Sequence, residues 1–178
     1  GSDRILRRMK RLYTSAQYLE MVAYAHKVIP NVTFSTDFIV GFPGETEADF
    51  QDTLEMARKV KYDQAFCFKY SERPGVPAAK LDDNVSDVEK KRRLAELMAV
   101  QEETWNAEAE SCAGQLWTGV VEGPARHQDN PGEGPSWRLR TSNNRKIIVQ
   151  GGDYEVGAEF SALITGYKNT SFLGEIQD

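Results

Sequence analysis

The chain is poor in the residues that hold metal ions. Its 178 residues include two cysteines, Cys67 and Cys112, and two histidines, His26 and His127. An iron–sulfur cluster or a zinc–thiolate site needs three or four protein ligands, and the histidines lie apart from both cysteines in the sequence. The sequence therefore predicts no metal centre held by this chain alone.

Long apolar runs are also missing. No stretch approaches the roughly 20 apolar residues that a membrane-spanning helix needs, and no signal-peptide pattern opens the chain. There are 22 Lys and Arg against 27 Asp and Glu, which gives a net charge of −5, and 40% of the residues are hydrophobic. This composition excludes a disordered or collagen-like chain. We expect a cytoplasmic protein that makes no membrane contact.

Positive charge is concentrated near the beginning of the chain. Residues 1–30 hold six Lys and Arg against two acids, whereas residues 31–112 hold ten against seventeen. Residues 113–178 hold six against eight. Such a basic cluster is either a solvated helix face or a site for phosphate or carboxylate, and the pattern leaves both interpretations open. Its members are Arg4, Arg7, Arg8, Lys10 and Arg11.

The first half of the chain alternates helix and strand patterns. Residues 14–29 are predicted to form a helix capped by Thr14 or Ser15. Residues 33–40 are rich in β-branched and aromatic types, which predicts a strand buried on both faces. A second strand is predicted over residues 65–70, and the β–α–β order implies that the two strands are parallel. The apolar residues at helical spacing in the first helix are Tyr18, Met21, Val22, Ala25 and Ile29.

A glycine-rich turn, Gly-Phe-Pro-Gly-Glu-Thr at residues 41–46, follows the first strand. Gly41 and Gly44 allow a positive φ or a close backbone approach, and ligands of α/β folds bind where such strands end. A tight turn with no ligand explains the pattern equally well. Thr46 and Asp49 form a capping-box pattern at the start of the next helix. Its predicted inner face consists of Phe50, Leu54, Ala57 and Val60.

The second half begins with a long helix predicted over residues 86–113, which Ser86 caps and Gly114 ends. After it, five short strands separated by turn residues predict a small antiparallel barrel, so we place the domain boundary near Gly114. The predicted strands cover residues 115–121, 136–141, 145–150, 158–165 and 171–176. The predicted buried stripe of the helix is Leu94, Leu97, Met98, Gln101 and Trp105.

Four ordered segments resemble the radical S-adenosylmethionine (SAM) methylthiotransferases. Residues 35–47 resemble the family's fifth-strand segment, and residues 66–75 its sixth strand and following loop. Residues 1–3 with 9–14 resemble the segment after its fourth strand, and the barrel resembles the family's TRAM domain through Arg-Thr at 140–141 and Asn-Arg at 144–145. Gly1-Ser2 is then part of the family's Ser-Gly-Ser-Asp run, with a tag remnant as the alternative.

The resemblance implies an α/β plus all-β fold. Residues 1–113 would be the C-terminal strands and helices of a partial (β/α) radical SAM barrel, and residues 114–178 a small antiparallel, RNA-binding TRAM-like β-barrel. The Phe-Cys-Phe-Lys-Tyr-Ser segment at 66–71 resembles the MiaB-type branch most. That branch adds a methylthio group to carbon 2 of N6-isopentenyladenosine beside the tRNA anticodon. It uses SAM and two [4Fe–4S] clusters.

The family's cluster cysteines belong to segments that have no counterpart here. We therefore expect this chain to hold neither the clusters nor SAM, to have no catalytic or metal-binding residue, and to be inactive without the enzyme's N-terminal domains. Cys67 is interpreted as a small apolar core residue. Without the rest of the barrel, the predicted strands at 33–40 and 65–70 would expose unpaired edges and apolar faces, and we therefore expect the chain to self-associate.

The resemblance also implies which residues border the cofactor and the RNA. Ile39 would contact the cofactor's adenine and ribose and Gly41 would expose backbone there, while Arg11 would pair with the cofactor's carboxylate or with Glu45. Asp37 and Tyr70 would border the cofactor or, as the alternative, form a buried hydrogen bond with each other. Arg73 would face the RNA or stabilise the turn in which it lies. The full cofactor set is Asp37, Ile39, Gly41, Phe68, Tyr70 and Arg11.

The barrel sequence contains aromatic and arginine residues, and RNA loops are commonly bound by stacking on aromatic rings or guanidinium planes together with phosphate contacts. The predicted RNA-binding residues are Trp137, Arg138, Arg140, Asn144 and Arg145. Leu139 departs from the family, which commonly has glycine before Arg-Thr, and the polar residues 127–135 are predicted to form a mobile loop. Two alternatives stay open: a fragment of a sister enzyme that modifies another tRNA adenosine or a ribosomal protein, and a non-catalytic RNA-binding module.

Overall fold

A computed structural model describes residues 1–125 and 134–177 of the chain. It divides into two compact units, Gly1–Trp105 and Asn106–Asp178. The division lies inside the long helix rather than at Gly114, and the identities of the two domains stay a prediction. Most of the predicted polar loop at 127–135 lies outside the described residues.

The first unit contains two parallel strands and the helices packed against them. The helices are α1 (Asp3–Arg8), α2 (Ser15–Val28), α3 (Glu47–Val60) and α4 (Asp87–Glu110), with a short 3-10 helix at Pro77–Lys80. Strands β1 (Ser35–Val40) and β2 (Gln64–Lys69) pair in parallel from Ser35↔Gln64 to Val40↔Lys69, which confirms the β–α–β prediction. Helix α1 was not predicted, because its six residues are half arginine and too few to show an apolar repeat.

The predicted helix starts are confirmed in detail. Thr14 caps α2 and Thr46 caps α3, each through a capping box in which the threonine oxygen accepts from a backbone N–H three residues on. The Ser86 hydroxyl likewise accepts from the N–H of Glu89 at the start of α4. The four residues predicted for the inner face of α3 are all buried. Local patterns thus specify these elements.

Two expectations about burial were wrong, one for β1 and one for α4. Strand β1 buries Phe38 and Val40 but leaves Ile39 exposed, because the helices cover one face of the two-stranded sheet and no described residue covers the other. In α2, Val22 is buried and Met21 is exposed, and Ile29, which follows the helix as its C-cap, is exposed as well. In α4, Met98 is exposed, and the buried positions are Leu97, Val100 and Ala109 together with two charged residues, Lys90 and Arg93.

The second unit contains a closed five-stranded barrel in the order β3-β4-β5-β7-β6. Its strands are β3 (Leu116–Pro124), β4 (Ser136–Thr141), β5 (Lys146–Gln150), β6 (Glu159–Lys168) and β7 (Ser171–Gln177). The barrel is not entirely antiparallel, because β5 and β7 pair in parallel. A closed ring of five strands cannot alternate direction at every pair, so one pair must be parallel. The interior holds Val121, Leu139, Ile147, Val149, Ala162, Ile164 and Phe172.

Within residues 1–125 and 134–177, none of the helices combines the length and the apolar composition that a membrane span requires.

Candidate cofactor-facing surface and candidate RNA interface

The uncovered face of the β1–β2 sheet brings three predicted cofactor residues together. Ile39 lies opposite Phe68 in the strand register, and Asp37 lies opposite Phe66. Ile39, Phe66 and Phe68 are 44%, 49% and 52% exposed, although most large apolar side chains are buried in folded proteins. We call this surface, formed by Asp37, Ile39, Phe66 and Phe68, the open face. It offers flat apolar contact beside a carboxylate that can accept hydrogen bonds.

Tyr70 lies elsewhere. It follows β2 and is buried against Phe42, with the ring centroids 5.2 Å apart, while the ammonium of Lys90 lies 5.2 Å from the Tyr70 centroid. Burial raises the pKa of the Tyr70 hydroxyl. The alternative of a buried Asp37–Tyr70 pair is wrong, because Asp37 is exposed.

The glycine-rich turn uses its own backbone donors. The Gly41 N–H donates to Glu45 Oε1 at 2.8 Å, and the Gly44 N–H donates to Asn84 Oδ1 at 2.8 Å. The Glu45 N–H donates to the Phe42 carbonyl at 2.8 Å. These donors are therefore not available to a ligand. The geometry favours the interpretation of a tight structural turn.

Gly41 allows a close approach to its backbone, and the group that approaches is the Lys90 side chain rather than a ligand. Its φ is +71°, and a Cβ there would lie 2.3 Å from Lys90 Cγ. The Lys90 ammonium continues to Asp83, with Nζ 2.5 Å from Oδ2. Lys90 thus covers the glycine and ties the turn to the loop before α4.

Glu45 pairs with Arg93 and not with Arg11. Arg93 Nη1 lies 2.8 Å from Glu45 Oε1 and 3.2 Å from the Glu45 carbonyl, and Arg93 Nε donates to Glu89 Oε1 at 2.9 Å. Arg11 is exposed. The sequence signal for Arg93 was the i,i+4 spacing of Glu89 and Arg93 in α4, which places an arginine fork beside the turn only once the helix is packed.

Two members of the basic cluster brace the turn. Arg4 pairs with Asp49 and donates to the Gly44 carbonyl at 2.6 Å, and Arg8 Nε donates to the Pro43 carbonyl at 3.2 Å. Burial raises the pKa of Asp49, but hydrogen bonds from Arg4, Ser2 and Thr46 outweigh it and hold the pKa well below its usual range. Arg7, Lys10 and Arg11 stay exposed and so fit the solvated-face interpretation or an external anion.

The predicted RNA-binding residues fall into separate groups. Arg138 and Arg140 both contact Glu122, a residue that the sequence analysis did not single out, and Arg140 also contacts Asn144. Asn144 adopts a φ of +67° in the turn after β4. Glu122 lies at a register shift in β3, which alternation alone does not reveal.

Arg145 and Trp137 have other neighbours. The Arg145 guanidinium lies 5.1 Å from the Trp117 ring centroid and 5.4 Å from that of Phe172. The Trp137 indole N–H donates to the Gly152 carbonyl at 3.3 Å, and its ring meets Tyr154 edge-on at 5.8 Å. Cation–π and edge-on aromatic contacts of this kind can stabilise the fold itself as well as bind a ligand.

The cysteines do not form a ligand set. Cys67 is half-buried against the core of the first unit, and burial raises the pKa of its thiol, as expected of a structural residue. Cys112 is buried and its Sγ lies 3.3 Å from the Glu108 carbonyl. Over residues 1–125 and 134–177, no group of three or more His, Cys, Asp or Glu is placed to hold a metal ion.

Comparisons with known proteins test the family resemblance. A family model for the radical SAM superfamily matches residues 1–57. Similar curated proteins carry the name tRNA-2-methylthio-N(6)-dimethylallyladenosine synthase. The one from Symbiobacterium thermophilum is 50% identical over 69% of this chain, which corresponds to 26% of that relative. The relative from Bordetella avium is 41% identical over 99% of this chain and 36% of its own length.

A third relative of the same name, from Clostridium beijerinckii, is 39% identical over 99% of this chain and 38% of its own length. The chain therefore spans 26% to 38% of the length of these relatives. Similarity that extends along nearly the whole chain, together with the radical SAM match, confirms the resemblance: the chain belongs to the radical SAM methylthiotransferase family.

Proposed function

We propose that the chain is the C-terminal part of an enzyme that adds a methylthio group to carbon 2 of N6-isopentenyladenosine beside the tRNA anticodon. The observation that carries this proposal is the 41% identity over 99% of the chain to a relative named for that tRNA modification. The radical SAM match over residues 1–57 favours an enzyme part over a non-catalytic RNA-binding module. The relatives' names favour tRNA over a ribosomal protein as the substrate.

In this proposal, residues 1–113 are the last strands and helices of a partial (β/α) radical SAM barrel. The open face supports this assignment, because a sheet that carries exposed Ile39, Phe66 and Phe68 is what the inner wall of a larger barrel leaves when its other strands are absent. Residues 114–178 are the TRAM-type barrel, which the closed five-stranded ring supports.

The open face is the proposed wall of the SAM site. Ile39 and Phe68 would contact the adenine ring, and the Asp37 carboxylate would accept hydrogen bonds from ribose hydroxyls. The exposed apolar side chains fit that group, whereas a solvated surface would not need them. When bound next to a [4Fe–4S] cluster, SAM would supply the radical that the reaction needs, and a second cluster would supply the sulfur. Both clusters would be held by cysteines of the enzyme's N-terminal domains.

Three further residues act at the border of this site in the proposal. Arg11, which is exposed, would pair with the carboxylate of SAM. Gly41 and Tyr70 lie behind the strand ends and would shape the site through Lys90 and Phe42, the residues that they contact. Their contribution is positional, since both are buried.

The barrel is the proposed contact with the tRNA anticodon stem-loop, within a cytoplasmic enzyme. Its net charge is negative, so a local strip of arginines would have to supply the attraction for phosphate. Arg138 and Arg140 on β4 form that strip. Without the N-terminal domains, the open face would also favour self-association of the chain.

The test uses the full-length enzyme and measures 2-methylthio nucleosides by mass spectrometry of tRNA from cells that lack the gene. Complementation by the wild-type gene should restore the modification. Phe68→Asp should abolish it, because it removes the apolar contact with the adenine ring and places a hydrated carboxylate where the ring would bind. Val88→Asp is the matched control, since Val88 is 79% exposed on α4, outside the open face. Normal modification with Phe68→Asp contradicts the cofactor wall, and unmodified tRNA with the wild-type gene contradicts the activity.

A further inference from the structure

The carboxylate of Glu122, which lies at a β-bulge in β3, accepts hydrogen bonds from two arginines of the barrel. Val121 pairs with Leu139 and Gly123 pairs with Arg138, so Glu122 is the extra residue of β3. Its Oε2 accepts from Arg138 Nε at 2.6 Å, and its Oε1 accepts from Arg140 Nε at 2.9 Å. A bulge redirects a side chain in this way, so that Glu122 reaches both arginines.

The guanidinium groups of Arg138 and Arg140 are equally exposed but differ in how many of their nitrogens donate hydrogen bonds. Both side chains are 28% exposed. Arg140 Nη2 donates to Glu122 Oε2 at 3.1 Å, and its Nη1 donates to the carbonyl and to Oδ1 of Asn144 at 3.0 and 3.2 Å. Arg140 therefore uses all three of its nitrogens. Arg138 uses only Nε among the described residues, and its Nη1 and Nη2 make no hydrogen bond there.

Each guanidinium carries five N–H donors in a rigid plane, and phosphate is best held by two donors of one edge. Within residues 1–125 and 134–177, nothing occupies the donors of the Arg138 Nη edge. Glu122 fixes the opposite side of the same plane through Nε, which limits the rotation that binding would otherwise have to suppress. Hydrogen bonds from Arg140 and Arg138 hold the pKa of Glu122 below its usual value, so the carboxylate is ionised and keeps both contacts at neutral pH.

We propose that Arg138 is the residue of this strip that binds an RNA phosphate, and that Arg140 is a structural brace between Glu122 and the Asn144 turn. This inference rests on the proposed RNA binding by the barrel. It separates two arginines that the sequence treats alike.

The experiment compares Arg138→Gln with Arg140→Gln in the 178-residue chain. The two changes remove the same charge from neighbouring positions, so the general attraction for RNA falls equally in both. Binding of a fluorescein-labelled RNA stem-loop is followed by anisotropy over a series of salt concentrations, and thermal unfolding is followed by circular dichroism.

Arg138→Gln should weaken binding about tenfold more than Arg140→Gln, as expected for the loss of one charge-assisted hydrogen bond. It should also reduce the slope of log affinity against log salt by about 0.7 to 0.9, the value for one phosphate contact. Arg140→Gln should lower the Tm more than Arg138→Gln does. Arg138→Lys, which keeps the charge but not the fork, should retain the salt slope.

Equal binding losses, or a larger loss and slope change with Arg140→Gln, overturn the inference while leaving RNA binding by the barrel intact. If the wild-type chain does not bind the stem-loop even at low salt, the RNA-binding part of the proposed function fails and this inference fails with it.

Discussion

The Arg93 guanidinium lies against the Glu45 carboxylate, with Nη1 2.8 Å from Oε1, and the two side chains are only 6% and 2% exposed. The same carboxylate oxygen accepts the Gly41 N–H. One buried acid therefore joins the turn between β1 and α3 to the second turn of α4. The desolvation of such a pair is costly, but a buried charge without its partner is worse.

Replacing Arg93 should lower the urea concentration at which the chain unfolds. Arg93→Leu leaves Glu45 buried without its counter-charge, and the free energy of unfolding should fall by about 3–5 kcal/mol. Urea denaturation followed by circular dichroism measures the loss. Arg92→Leu is the matched control, because Arg92 pairs with Glu47, Glu89 and Glu96 on the surface and its loss should cost far less. Equal losses would show that the buried pair has no special role.

Stability should fall in acid through Asp49. The pKa of Asp49 in the folded chain lies below its usual value of 3.8. A carboxyl whose folded pKa is depressed stabilises the fold above its unfolded pKa, and this contribution is lost as pH falls toward the folded pKa. The free energy of unfolding should therefore decrease below about pH 4.

The Asp49→Asn variant provides the comparison. It should be less stable than the wild type at neutral pH, because it loses the ion pair with Arg4. The difference between the two proteins should shrink as the pH is lowered from about 5 to about 2. A constant difference across this range would exclude Asp49 as a source of the acid sensitivity.

An alanine at Gly41 should be more harmful than an alanine at another glycine of the same conformation. Gly41→Ala puts a Cβ 2.3 Å from Lys90 Cγ, whereas Gly75, at a φ of +84°, has no atom within 4 Å of that position. Both variants carry the cost of a left-handed residue, about 1–2 kcal/mol. Overpacking should add about 1–3 kcal/mol at Gly41 alone. Chemical denaturation of both variants measures the difference, and equal stabilities would contradict the close approach.

The open face should make the chain self-associate. Phe68 is exposed beside Ile39 and Phe66, and the two-stranded sheet leaves strand edges unpaired among the described residues. Light scattering at increasing concentration should therefore show dimers or larger species, and Phe68→Ser should shift them toward the monomer. Met98→Ser is the control, since Met98 is 55% exposed on a helix. A wild-type chain that stays monomeric at high concentration would contradict the prediction.

Much of the local structure could be predicted because its causes lie within a few residues. The Thr46–Asp49 capping box, the inner face of α3 and the five strand segments are set by side chains close together in sequence. The β–α–β order implied the parallel β1–β2 pair. The same short segments, in their order and spacing, also sufficed for the family, which the comparisons confirm.

The contacts that define the candidate sites depend instead on how distant segments pack. Arg93 meets Glu45 only because α4 packs against the turn, and Glu122 meets both arginines only because a bulge shifts the register of β3. The burial of Tyr70 away from the open face is likewise decided by packing. The sequence by itself determined the family and all of the described strands and helices except the two shortest helices, α1 and the 3-10 helix. The tertiary structure decided which charges are paired and which surface stays open, since pairing between remote residues is a property of register and packing and not of local pattern.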